Sequence, residues 1–192
     1  NLKFKPQADM FKEKNIPIYE AFEGTHIEDE LLILSPEKQY YLSLLVSSEK
    51  TPLEMSSALQ HDGTLLKFLA SVKDFALNIL ETWDIETLRE SETTSAENET
   101  SVILRGKVDG SGFILTGDAG IGSLNRAIDY MEKIGENIVE DISFYQVPHH
   151  GGRHNVSPSV LNRMLGEKIE KGSSRNKVAF ASVAQNSSHP LK

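Results

Sequence analysis

The chain has 192 residues, 39% apolar and 25% charged, which is enough for one well-packed domain and too few for two ordinary domains with a linker. Its 20 Lys and Arg against 28 Asp and Glu give a net charge of −8, so the surface as a whole cannot attract a nucleic-acid backbone or an anionic membrane without a local patch or a bound metal. With no cysteine, disulfides, thiolate metal sites and cysteine nucleophiles are excluded, the expected compartment is a reducing cytoplasm, and any metal must be held by His and carboxylates.

No apolar run approaches the roughly 18 to 20 residues of a membrane span, and residues 1–30 lack the basic-then-apolar order of a signal peptide. Those first 30 residues read as a polar, irregular connecting segment broken by Pro6, Pro17 and Gly24, with a short strand over Ile16 to Phe22. Leu31 to Leu34 reads as a strand. It ends at Ser35-Pro36, where Ser is an N-cap type and Pro suits the first position of a helix over about 36 to 47. Leu65, Leu69, Val72, Ala76, Ile79 and Trp83 put one apolar stripe on a long helix, widened by Phe68 and Phe75. Glu90 to Glu99 holds no large apolar residue and is expected as an exposed loop. Residues 1–97 are thus a connecting and helical part of a single domain, and 98–192 a more regular α/β half.

In that half, Ser101 to Val108 and Phe113 to Thr116 read as strands joined by Asp109-Gly110-Ser111-Gly112, a hairpin signal. A helix follows, capped by Ser123, with Leu124, Ala127, Ile128, Met131 and Ile134 inward and Gly135 as its stop. Ile142 to Val147 is a strand, Ser157-Pro158 opens a helix with Val160, Leu161, Met164 and Leu165 inward, and Val178 to Val183 is a last strand. Three polar clusters sit just past strand ends: Gly117-Asp118, His149-His150-Gly151-Gly152, and His189. In layered α/β folds such positions converge on one edge, where ligands bind. A carboxylate with neutral imidazoles suits Zn²⁺, Mn²⁺ or Fe, and neighbouring glycines let backbone approach a metal and adopt positive φ. Singly, each piece has an ordinary structural explanation: a turn or N-cap aspartate, a hydrogen-bonded loop histidine pair, a terminal His-Pro.

The ordered set Asn98-Glu-Thr-Ser-Val-Ile-Leu-Arg, Phe113-Ile-Leu-Thr-Gly-Asp-Ala-Gly, Val147-Pro-His-His-Gly-Gly with Asn155-Val-Ser-Pro, and Ala181-Ser-Val with His189-Pro190 resembles the second half of metallo-β-lactamase-fold hydrolases. Within them it is most similar to the hydrolase domain of bacterial competence-type DNA-uptake proteins. The resemblance implies an αββα sandwich, present here as its C-terminal portion. It further implies a site for one or two ions that makes a hydroxide for cleaving phosphodiesters, nucleic acid or other esters. Asp118 resembles the bridging aspartate and the His149-His150 pair the downstream ligand, with His149 favoured; His189 matches a position for another ligand or a substrate-side proton donor, Asp118, His150 and His189 are the catalytic candidates, and Asn155 and Ser157 would line the cleft. The family's His-x-His-x-Asp-His motif is missing, since the histidines are 26, 61, 149, 150, 154 and 189. The expectation is therefore an incomplete ligand set, with the missing half in a longer protein or the site degenerated. Two other readings stay open: a catalytically silent interaction domain, and a phosphate-binding turn at Gly117–Ser123, which has P-loop-like glycines but no Lys. A serine-hydrolase elbow is absent.

Overall fold

The computed structural model describes residues 7–48, 50 and 88–182. In chain order the elements are α1 (Gln7–Glu13), β1 (His26–Ile27), β2 (Leu31–Ser35), α2 (Lys38–Ser47), α3 (Ala96–Glu99), β3 (Ile103–Val108) and β4 (Ser111–Leu115). They continue with α4 (Ile121–Lys133), α5 (Ile138–Asp141), β5 (Ile142–Gln146), a 3-10 turn (Pro148–Gly151), α6 (Pro158–Leu165) and β6 (Val178–Phe180). Among the described residues the strands form one six-stranded mixed sheet in sequence order, making this an α/β fold. Among the described residues no helix is long and apolar enough to cross a membrane.

The connections dictate the strand directions. β3 and β4 are antiparallel because only Asp109 and Gly110 separate them, at φ 50° and 80°, the left-handed pair that matches strand twist in a two-residue hairpin. β4, β5 and β6 run parallel, and each of those links carries a helix, as a parallel crossover requires. The consequence for function is that the C-terminal ends of β4, β5 and β6 all open on the same edge.

One face of the sheet carries Leu32, Leu34, Ile103, Ile114 and Tyr145 into a core completed by Leu124, Ala127, Ile128 and Met131 of α4 and Val160 and Met164 of α6. Each of the Leu, Ile, Val and Met side chains among them contributes roughly 1.5–3 kcal/mol by leaving water. On the opposite face the register brings Gly106, Phe113, Phe144 and Val178 into one row. A Cβ on Gly106 would sit 2.2 Å from the Phe113 ring, so glycine there lets that ring lie across the strand. At the β4–β6 end this face leaves Leu115, Val178 and Phe180 about half exposed.

Several expectations are corrected by the tertiary setting. Ile16 to Phe22 is not a strand; Pro17 lacks a ladder N–H, and the pairing segment is His26–Ile27 instead. Residues 1–30 are also less irregular than expected, since α1 lies within them. Ser35 does not cap a helix, because it is the last residue of β2, buried and paired with Ile103; α2 begins at Lys38 with Glu37 before it. Ser123 lies inside the first turn of α4 rather than at its cap, which is Gly120. Ile134 is 41% exposed at the C-cap, past the last residue of the helix, and Gly135 turns the chain there at φ 81°. β6 is three residues long, and Val183 and the 65–83 helix lie outside the described residues.

The acidic 90–99 segment, expected simply as an exposed loop, is clamped to the domain. Glu99 accepts from the backbone N–H of Gly122 (3.3 Å) and Ser123 (2.7 Å), from the Ser123 hydroxyl (2.7 Å), from Thr94 Oγ1 (3.2 Å) and from Tyr40 (3.1 Å). A carboxylate thus stands at the positive end of α4 and satisfies its orphan amides. Gly120 is required by this approach, since a Cβ there would meet Glu99 Oε1 at 2.2 Å. Burial, then the charge of Glu99, pushes the Tyr40 hydroxyl well above its ordinary value, so it remains a neutral donor, with the Arg126 guanidinium 3.9 Å from its ring centroid.

Glu99→Ala strips one acceptor from several partly buried donors and is expected to cost about 2–4 kcal/mol in urea unfolding; a loss below about 1 kcal/mol would show the clamp to be dispensable. Along α4, Ile128→Ala is expected to cost about 2–5 kcal/mol and Ile134→Ala less than about 1 kcal/mol, read from the same unfolding curves.

Candidate functional site

The edge beyond β4 and β5 is built by side chains that stitch the two strand ends together. Thr116 donates its N–H to Gln146 Oε1 and its hydroxyl to the Gln146 carbonyl, both at 2.9 Å, and Gly117 N–H reaches the same Oε1 at 3.3 Å. Gly117 then turns at φ 54°, and its carbonyl accepts from the His149 N–H at 3.1 Å. From behind, the amide of buried Asn155 donates to the carbonyls of Asp118 (2.9 Å) and Ala119 (3.1 Å). The Asp118 N–H is held by Ser101 Oγ at 3.3 Å.

This scaffold brings Asp118 Oδ1 to 3.7 Å from His149 Nδ1, with both side chains about half exposed. His150 lies next to them, its ring 5.8 Å from that of His149, and its Nδ1 donates to the Ser182 carbonyl just past β6. Two of the expected clusters, Asp118 after β4 and His149-His150 after β5, thus meet, and the chain just past β6 adds the Ser182 carbonyl. His189 lies outside the described residues.

The positive φ expected of the glycines occurs at Gly117 and Gly151, but Gly152 is at φ −59° and the histidines themselves carry the unusual geometry. His149 and His150 sit at φ 45° and 57°, two consecutive side-chain-bearing residues in the left-handed region. Such conformations cost of order 1–3 kcal/mol each and persist where the surroundings over-determine them, typically at functional sites. Here the His149 N–H bond to Gly117 and the His150 bond to Ser182 supply that determination.

The expected cleft-lining role of Ser157 is corrected: it is fully buried, and its Oγ caps α6 by accepting from Val160 N–H at 3.3 Å. Asn155 acts from beneath the site rather than along its wall. Sequence reasoning also missed Gln146, Glu92 and His154. Glu92 accepts from His154 Nδ1 at 2.7 Å and from Arg89 at 3.3 Å, while Glu90 accepts from the Ser159 N–H at the start of α6. The signal was there only as an acidic run, whose periodicity says nothing about partners.

The donor chemistry fits a divalent metal. Two ligands on one tetrahedral zinc lie about 3.3 Å apart for bonds of about 2.0–2.1 Å, so small side-chain shifts bring Asp118 and His149 onto one ion. The carbonyl partner of His150 fixes its proton on Nδ1 and leaves Nε2 as the lone-pair nitrogen, the orientation that a metal-ligating histidine receives from its outer partners. Among the described residues, however, no group of three or more His, Asp or Glu is already drawn together tightly enough to hold an ion. The N-terminus of α4, the expected alternative phosphate cradle, is filled by Glu99, which takes the Gly122 and Ser123 amides that an anion would need.

The left-handed backbone yields a stability test. His149→Gly is expected to be more stable than His149→Ala by about 0.5–1 kcal/mol, the reverse of the order at an ordinary φ, because only glycine occupies φ 45° without a Cβ penalty. Chemical denaturation of the two variants decides it; equal midpoints would mean that the turn relaxes. Comparison of the chain with protein-family models, curated proteins and solved structures gives no match.

Proposed function

We propose that the chain is the C-terminal portion of a metallo-β-lactamase-like αββα hydrolase that cleaves phosphodiesters in a metal-dependent reaction. The observation that supports it best is the convergence of Asp118, His149 and His150 at the common edge of three parallel strands, with both histidines in left-handed backbone. The half-exposed apolar row of Leu115, Val178 and Phe180 on the sheet's other face agrees with a sandwich whose second layer covers it. Asp118 and His149 would hold one ion, zinc or else manganese or iron, with His150 and His189 as the remaining donors. When bound, such an ion supplies Lewis acidity that brings the pKa of water toward neutrality.

The chain's own residues do the positioning. Gln146, through Thr116 and Gly117, sets the height of the Asp118 turn, and Asn155 holds that turn from the core side. The Ser182 carbonyl orients His150. A phosphodiester approaching a surface of net charge −8 meets long-range repulsion, which a cation held at this edge would offset.

A second reading, a silent interaction domain that keeps the fold without turnover, is favoured by the lack of a tight three-donor group among the described residues. Elemental mass spectrometry of protein purified without chelator or metal-binding tag separates the two. Near-stoichiometric Zn, Mn or Fe that falls at least about tenfold in Asp118→Asn and His149→Ala, together with metal-dependent hydrolysis of bis(p-nitrophenyl) phosphate, is the expected outcome. Metal content and hydrolysis unchanged in both variants would overturn the site assignment, and the absence of both in the parent protein would support the silent domain.

A further inference from the structure

The pairing of Glu92 with His154 lies outside the Asp118–His149–His150 group and takes no part in the reading above. Its position is set by the acidic segment: Glu90 binds the first turn of α6 through Ser159, and Glu99 binds the first turn of α4. Glu92 lies between these two anchors in the chain and meets His154 at 2.7 Å. His154 belongs to the loop between β5 and α6, and the next residue, Asn155, is the one that holds the carbonyls of Asp118 and Ala119. The Glu92 side chain is only 16% exposed and is braced by Arg89 at 3.3 Å, whereas that of His154 is 46% exposed and so open to solvent.

A carboxylate can only accept in this pairing, so the 2.7 Å contact places a proton on His154 Nδ1. In the neutral ring, Nε2 is then the basic nitrogen. An acid group that fixes the tautomer of a solvent-accessible imidazole is the arrangement by which a histidine becomes a directed general base. The loop is also fastened by Asn155 and by the Gly152 carbonyl, which accepts from the Asn155 N–H.

We propose that Glu92 and His154 form a proton-transfer dyad for ester hydrolysis at this edge, an inference that rests on the hydrolase reading. His154 Nε2 takes a proton from the attacking water as its oxygen bonds to phosphorus. The P–O bond on the opposite side breaks, the leaving oxygen departs as the alkoxide or phenolate and takes a proton from solvent, and the imidazolium then releases its own proton to solvent. The ring ends neutral, and water is divided between the two products. His154 is the catalytic residue, and Glu92 is a positioning residue that acts through it.

Steady-state hydrolysis of bis(p-nitrophenyl) phosphate by the parent, His154→Ala, His154→Gln and Glu92→Gln proteins tests the dyad, with metal content and urea unfolding measured on each. The expected result is a fall of about 10²–10⁴ in kcat for both His154 variants, with metal content kept and KM little changed, and partial recovery of His154→Ala by added imidazole. Glu92→Gln is expected to lower kcat by about tenfold or more, again without a matching change in KM. An active parent with His154 variants within about threefold of it overturns the dyad and leaves the hydrolase reading standing. Loss of activity that free imidazole does not restore also overturns it, as a structural role would. A parent inactive on the ester removes the hydrolase reading and the dyad with it.

Discussion

The Glu99 carboxylate is the interaction on which the arrangement of this domain turns. It gathers the N-terminus of α4, the Tyr40 hydroxyl of α2 and Thr94 of the acidic segment onto one group. Those elements are far apart in the chain, and apolar packing alone sets their distance from the sheet but not their rotation or register. A partly buried acceptor with several directional donors supplies what packing lacks, because each unmade hydrogen bond costs the desolvation of its donor. The same carboxylate balances the partial positive charge of a 13-residue helix whose own first turn holds no acidic residue. A loop-borne side chain therefore replaces the local cap that the helix does not encode.

The second constraint is the meeting of parallel strand ends. Parallel pairing of β4, β5 and β6 leaves their last carbonyls and amides without ladder partners at one edge, and the structure meets that demand with Gln146, Thr116 and Asn155. Those polar anchors then fix where Asp118 and His149 stand. Asp118 and His149 are thus partly exposed, while Thr116 and Asn155 beneath them are buried. The two left-handed histidines are held in a similar way, since a strained turn is tolerated where flanking hydrogen bonds hold both its ends.

Charge distribution connects these features. Several acidic residues that make up the net charge of −8 are committed: Glu90 and Glu99 to helix N-termini, Glu92 to His154 and Arg89, and Glu136 to buried Arg105. The acidic segment is therefore less a solvated face than a bracket, and it runs past the edge where Asp118 stands. Ser48 donates to Glu97, the largest of the effects that hold its carboxyl well below the usual range, at about 2, and fastens the same segment to the end of α2.

What the sequence by itself determined follows the periodic and turn signals. The α4 stripe up to Met131, the α6 stripe opened by Ser157-Pro158, the β3–β4 hairpin (though its turn is only Asp109-Gly110, with Ser111 and Gly112 already in β4), the Gly135 stop and the placement of Asp118, His149 and His150 after strands are legible, because each depends on residues within a few positions of one another. Tertiary structure alone decided that Ser35 belongs to a strand and that Ser123 answers to Glu99. It also decided that Ser157 is buried, and that Glu92 finds His154 62 residues away. A hydrogen bond between distant residues leaves no period in either stretch, and an acidic run looks the same whether it faces water or a helix end. The residue types were in the sequence; which donor met which acceptor was settled by the parallel sheet that brought the loops to one edge.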